Sequence, residues 1–75
     1  MDEDTQHYSL SVRDRGSRNY KDQFFADEVD AVTKMVREAG FMCQHGYRVA
    51  DIGSRRIEVE DVDDSTKGTE FLVRD

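Results

Sequence analysis

Residues 25–40 read FADEVDAVTKMVREAG, and this stretch decides the fold. Phe25, Val29, Val32, Val36 and Ala39 recur at spacings of four, three, four and three, which places them on one stripe of a helix. Asp27 suits the N-cap, and Glu28 and Asp30 suit the positive end of the helix dipole. Lys34 and Arg37 fall toward the other end, and Gly40 can take the left-handed position just past it. The spacing predicts a helix over 27–39, with Met35 beside the stripe.

Outward from the helix the period changes to two. Upstream, Tyr8, Leu10 and Val12 alternate with His7, Ser9, Ser11 and Arg13, as in a half-buried strand. Asp14 to Ser17 supplies a turn around Gly16. Residues 18–25 then return as a second strand with Tyr20 and Phe24 on one face, although Lys21, Asp22 and Gln23 have weak strand propensity; the alternative is a helix that starts near Asp22. Downstream, Phe41 to Ala50 reads as a strand with a bulge at Gly46, and Asp51 to Ser54 as a turn. Arg55 to Val62 is the next strand, with Ile57 and Val59 facing one way and Glu58 and Glu60 the other. Asp63 to Gly68 is a polar turn, and Thr69 to Arg74 a last strand pairing Phe71 with Val73. The expected class is α+β, an antiparallel sheet of four to five strands packed on one helix in the order ββαβββ.

Seventy-five residues suffice for a single domain over 1–75, with 1–5 as a flexible acidic tail. A chain of this length buries only about 60–65% of its unfolded surface, so small domains often need a disulfide, a metal or a partner subunit. Cys43 is the only cysteine, which rules out an internal disulfide and points to a reducing compartment. The acidic start Asp2-Glu3-Asp4 resembles neither a signal nor a transit peptide. No stretch approaches the roughly 20 apolar residues of a membrane span. These features predict a cytoplasmic location and no membrane partner. Charged residues are 37% and apolar ones 36%, near the disordered class, but the apolar ones fall in periodic blocks.

Catalytic and metal chemistry lack their parts. Cys43, His45 and His7 are three nitrogen or sulfur ligands where structural zinc wants four in paired spacings; a strand carrying Cys43 and His45 on one face reads better as a core thiol and a rim imidazole. Asp61-x-Asp63-x-Ser65 begins like an EF-hand loop, yet Thr66 stands where its glycine belongs and Leu72 where its glutamate belongs. A Cys43–His45 nucleophile and base would need a third group and an oxyanion site, and Phe41 and Met42 surround the thiol with apolar groups. Glu58 and Glu60, about 7 Å apart by strand rise, could suit glycoside hydrolysis, but so short a chain has no room for a cleft. None of the glycines forms a Walker or dinucleotide motif. The expectation is a non-enzymatic protein with no catalytic residue, metal or cofactor.

Charge is the informative feature. The net charge is −6, so direct nucleic-acid binding is disfavoured. Residues 57–75 hold Glu58, Glu60, Asp61, Asp63, Asp64, Glu70 and Asp75 against Lys67 and Arg74, a balance of −5. Residues 41–56 hold Arg48, Arg55 and Arg56 against Asp51, a balance of +2, and the first turn carries Arg13, Arg15 and Arg18 against Asp14. The leading expectation places Glu58, Glu60, Asp61, Asp63 and Asp64 against a basic groove of a larger protein or ribonucleoprotein complex, where carboxylates replace phosphates. The alternative contact is Arg13, Arg15, Arg18, Arg55 and Arg56 on nucleic acid, with Tyr20 stacking. Solubility alone also explains such a charge, and a self-associating subunit, a homodimer through sheet edge or face, stays open.

The small, acidic chain, with Val29, Val32 and Val36 between alternating strands, resembles the small phage-encoded inhibitors of the anti-CRISPR kind. The resemblance covers the whole chain in architecture and carries no motif, so no binding residue is transferred. It implies a non-enzymatic protein that binds a Cas effector complex and blocks its contact with DNA.

Overall fold

A computed structural model describes residues 6–75; the tail expected over 1–5 lies outside them. Five strands and one helix follow in the order β1 (Tyr8–Asp14), β2 (Lys21–Phe25), α1 (Glu28–Cys43), β3 (Tyr47–Gly53), β4 (Arg56–Asp61) and β5 (Gly68–Arg74). The strands form a single antiparallel sheet in the order β2-β1-β5-β4-β3. The first and last strands in the chain are therefore neighbours at its centre. The predicted ββαβββ α+β class is the observed one.

The helix lies on one face. Leu10, Ile57, Val59, Phe71 and Val73 bury their side chains beneath Ala31, Met35 and Ala39, so the alternations expected in β1, β4 and β5 hold. The expected helical stripe holds only at Ala39 and, half-buried, at Val32. Val29 is 72% and Val36 53% exposed, while the buried residues of α1 are Ala31, Met35 and Ala39. At about 100° per residue these three share a line that Val29 and Val36 miss by a quarter-turn or more. Two alanines let the helix backbone settle close over Phe71, and Met35 fills the space between them. Valine at those positions would hold the helix further off. Phe25 belongs to β2 rather than to the helix.

The helix also runs on through Gly40 to Cys43, with Gln44 as C-cap, so the segment expected to open a strand at Phe41 is helical. A glycine inside a helix costs roughly 1 kcal/mol, which is offset by carrying Met42 and Cys43, both half-buried, against the core. The stop comes at Gly46, whose φ of 96° leads the chain out of the helix rather than forming a bulge. Asp27 occupies the N-cap backbone position, but its side chain makes no capping hydrogen bond. Asp51 to Gly53 are strand, not turn, and the bulge in β3 lies between Val49 and Asp51. β2 begins at Lys21, later than expected.

Candidate functional site

The face of the sheet without the helix is the most organised polar surface of the molecule. Strand pairing puts Ser11 beside both Asp22 and Leu72, Arg13 beside Glu70, Glu58 beside both Asp51 and Glu70, and Arg48 beside Glu60. Paired residues in an antiparallel sheet share a face, so arginines and carboxylates from every strand meet there.

Glu70 is the hub. It accepts hydrogen bonds from Arg13 Nη2 at 2.9 Å, Arg56 Nη2 at 3.3 Å and the Tyr20 hydroxyl at 3.3 Å. Its side chain is only 15% exposed. Burial pushes its carboxyl up, but the bonds from Arg13, Arg56 and Tyr20 together outweigh that and hold it below the usual range. Tyr20 lies between two guanidinium groups, those of Arg13 at 5.1 Å and Arg74 at 5.3 Å from its ring centroid. Arg74 continues the network by donating to Ser11 Oγ at 2.8 Å, and Ser11 in turn donates to Asp22 at 2.6 Å.

Arg15 closes the other end. It bonds Glu58 at 3.1 Å and reaches Glu60 at 3.4 Å, while Arg48 bonds Glu60 from the far side at 2.8 Å. The Glu58 bond above all raises the Arg15 pKa, and the Arg48 bond above all holds Glu60 below the carboxylate norm. Arg15 can lie flat here because residue 68 is glycine. A Cβ at Gly68 would collide with the Val59 carbonyl oxygen and crowd the Arg15 side chain, whose own backbone N–H bonds Gly68 O at 2.9 Å.

The acidic and basic sets that the sequence offers as rival contact surfaces are thus largely partners of each other. Glu58 and Glu60 are engaged by Arg15, Arg48 and Arg56, and Arg13 by Glu70. Arg56 also pairs with Asp51. Arg55 sits apart, bonded at 2.6 Å to both Glu28 and Asp75 and stacked 5.6 Å from the Tyr8 ring centroid. Among the described residues Arg18 forms no ion pair. Asp61, Asp63 and Asp64 lie at the β4–β5 turn. Asp61 accepts the Asp63 backbone N–H at 2.8 Å, and Asp64 accepts both the N–H and the hydroxyl of Thr66. The Thr66 hydroxyl above all holds Asp64 below its ordinary range.

The chain matches no protein-family model, no curated protein and no solved structure. Its site must be read from its own geometry.

Cys43 and His45 do not alternate along a strand. Cys43 ends the helix half-buried, and His45 follows it, exposed, with Nδ1 2.7 Å from Phe41 O and its ring 4.2 Å from the Phe41 ring. Among the described residues no three His, Cys, Asp or Glu side chains converge as metal ligands would, and no helix is long and apolar enough to cross a membrane. Two open grooves flank the helix on the β1–β2 side, one of about 390 Å³ lined by Val12, Arg37, Phe41, Met42 and Phe71, the other of about 310 Å³ lined by Leu10, Lys21, Gln23 and Glu38. The residues that the sequence did not single out are Tyr20 as a bridge, Glu70, Arg48, Arg74 and Ser11. For Ser11, Glu70 and Arg74 the one sequence signal is alternation with Leu10, Phe71 and Val73, which gives the face but not the neighbour.

Proposed function

We propose that this chain is a non-enzymatic interaction domain that docks on a basic surface of a larger protein or ribonucleoprotein through its β4–β5 turn. The observation that carries this is how the carboxylates divide. Glu58, Glu60 and Glu70 are answered by the chain's own arginines. Asp61, Asp63 and Asp64 form no ion pair with arginine or lysine among the described residues, and Lys67 acts on Asp64 only through its field, so most of their charge is left for a partner. The turn is also preorganised, because two of its carboxylates bond its own backbone, and an ordered contact loses less entropy on binding. In its most specific form the protein is an inhibitor of the anti-CRISPR kind, in which these aspartates take the lysines and arginines that otherwise hold phosphates. The rival reading, a nucleic-acid module, draws little support, since Arg13, Arg15, Arg55 and Arg56 already carry carboxylate partners.

The test is affinity capture from cells of the source, comparing wild type with the triple variant Asp61→Asn, Asp63→Asn, Asp64→Asn. Asparagine keeps the turn's hydrogen-bond acceptors and removes its charge. The expected result is capture of a basic protein by the wild type only, released by salt and displaced by added DNA or RNA. Equal capture by both would refute the turn as the contact.

A further inference from the structure

We infer that the chain pairs with a second copy of itself through the exposed edge of β3, joining two sheets into one. The inference does not depend on the acidic turn, and its variants leave the turn residues untouched.

β3 ends the sheet, and the way its backbone points can be deduced. In β4, Asp61 N donates to Lys67 O and Val73 N donates to Arg55 O. Odd-numbered residues of β4 therefore bond toward β5, and even-numbered ones toward β3. The β3 partners of the even-numbered residues are Arg48, Asp51 and Gly53, so these turn their backbone inward. Tyr47, Val49 and Ile52 turn their N–H and C=O outward, where among the described residues no strand meets them.

A two-fold axis perpendicular to the sheet demands that residues paired across it share a face. Positions 48 and 51, three apart, fall on opposite faces of a regular strand. Here the bulge between Val49 and Asp51 puts Arg48 and Asp51 on the same open face, opposite Glu60 and Glu58. Tyr47 and Ile52 share the helix side, opposite Asp61 and Ile57. More than one antiparallel register satisfies both backbone and faces, and charge distinguishes one of them. In that register Tyr47 of one copy exchanges hydrogen bonds with Ile52 of the other, and Arg48 lies beside the second copy's Asp51, once on each side of the axis. Pairing Val49 with Ile52 also suits the backbone, but it sets Arg48 opposite Gly53, so charge selects the register.

The groups at this edge are open to such a contact. Arg48 is 64% exposed and Ile52 67% exposed. Arg48 already bonds Glu60, and Asp51 already bonds Arg56, so the new contact would extend an alternating row: Glu60, Arg48, then Asp51 and Arg56 of the second copy. A bulge usually guards an exposed edge against pairing; this one aligns the edge's opposite charges. The other edge, β2, is shorter, and it carries the polar Lys21 and Gln23 on its helix side.

Sedimentation equilibrium from about 5 µM to about 1 mM, spanning a weak association, tests the inference with four proteins. Wild type should move from one chain to two. Arg48→Asp places two carboxylates together at each contact, and Asp51→Arg places two guanidinium groups together. Each should weaken self-association at least about tenfold, while an equimolar mixture of the two variants restores both attractive contacts and should associate like wild type. Ile52→Pro removes an outward N–H and no β3–β4 bond, and should be monomeric, with a folded circular dichroism spectrum. That variant decides the matter if a charge reversal prevents folding. A wild type monomeric throughout, a dimer undiminished in any of the three variants, or a mixture no more associated than its parts would each overturn the inference.

Discussion

On the helix side of the sheet, Leu10, Val59, Phe71 and Val73 are buried and pack into one apolar cluster with the helix. On the other side the same strands present Arg13, Arg56, Glu58 and Glu70, bonded in a lattice that solvent still reaches. The first face gains stability from removing apolar area from water, an effect nearly indifferent to salt and pH. The second gains little per contact, because exposed ion pairs are worth about 0–1 kcal/mol and are screened. The difference teaches that the organised polar face is better understood as a way of holding strands in register and silencing charge than as the source of the fold's stability.

The comparison can be broken most severely at Phe71. It is the largest fully buried side chain and sits where β1, β4 and β5 meet under the helix. Phe71→Ala should cost about 3–5 kcal/mol, which in so small a domain means a chain largely unfolded at 37 °C. A cooperative thermal transition within a few degrees of wild type would show that the core lies elsewhere.

Gly68→Ala strikes at the seam between the two faces. The new methyl meets the Val59 carbonyl, which is backbone and cannot swing away, and it crowds Arg15 off Glu58. The expected loss is roughly 2 kcal/mol, measured by urea denaturation. A loss no larger than that of Arg15→Ala would mean the strand backbone accommodates the methyl freely.

The lattice itself should answer to pH. Glu60 and Glu70 have folded-state pKa values below their ordinary 4.5. A group depressed on folding stabilises the fold above its unfolded pKa, and that contribution is lost as pH falls through the folded value. Stability should therefore be flat near neutrality and decline below about pH 4.5. Glu70→Gln should cost roughly 1 kcal/mol at pH 7 and flatten that decline. An unchanged acid limb in the variant would remove Glu70 from its place as hub.

The two faces were unequally legible in the sequence. Alternation in β1, β4 and β5 announced which residues were apolar and inward, because period two survives whatever strand lies next door. Neighbours did not survive in that way. Arg15 and Glu58 are separated by 43 positions, and they meet only because the strand order sets the chain's first strand beside its last. Without that order the arginines and carboxylates read as competing surfaces. The segment 41–43 was ambiguous for another reason: a short apolar run fits a strand or a buried helical turn equally well. Only the packing of Met42 and Cys43 on the core decides it.

The smallest effect tests the subtlest misreading, that of the helix face. Hydrophobicity favours the valines of α1 as the inward stripe, whereas close approach to the sheet favours Ala31 and Ala39. Val29→Thr and Val36→Thr keep the β-branched shape and change only what meets water. In dilute solution each should alter stability by no more than about 0.5 kcal/mol. Ala39→Val, at a position only 3% exposed, should cost about 1–3 kcal/mol by overpacking the helix against the sheet. Equilibrium urea melts of the three variants check the order. If the threonine variants prove the costlier, the valine stripe packs inward in solution and the helix is rotated from the orientation described above. A larger loss at Ala39 fixes the helix face by size rather than by hydrophobicity, which is why a pattern of apolar residues alone could not select it.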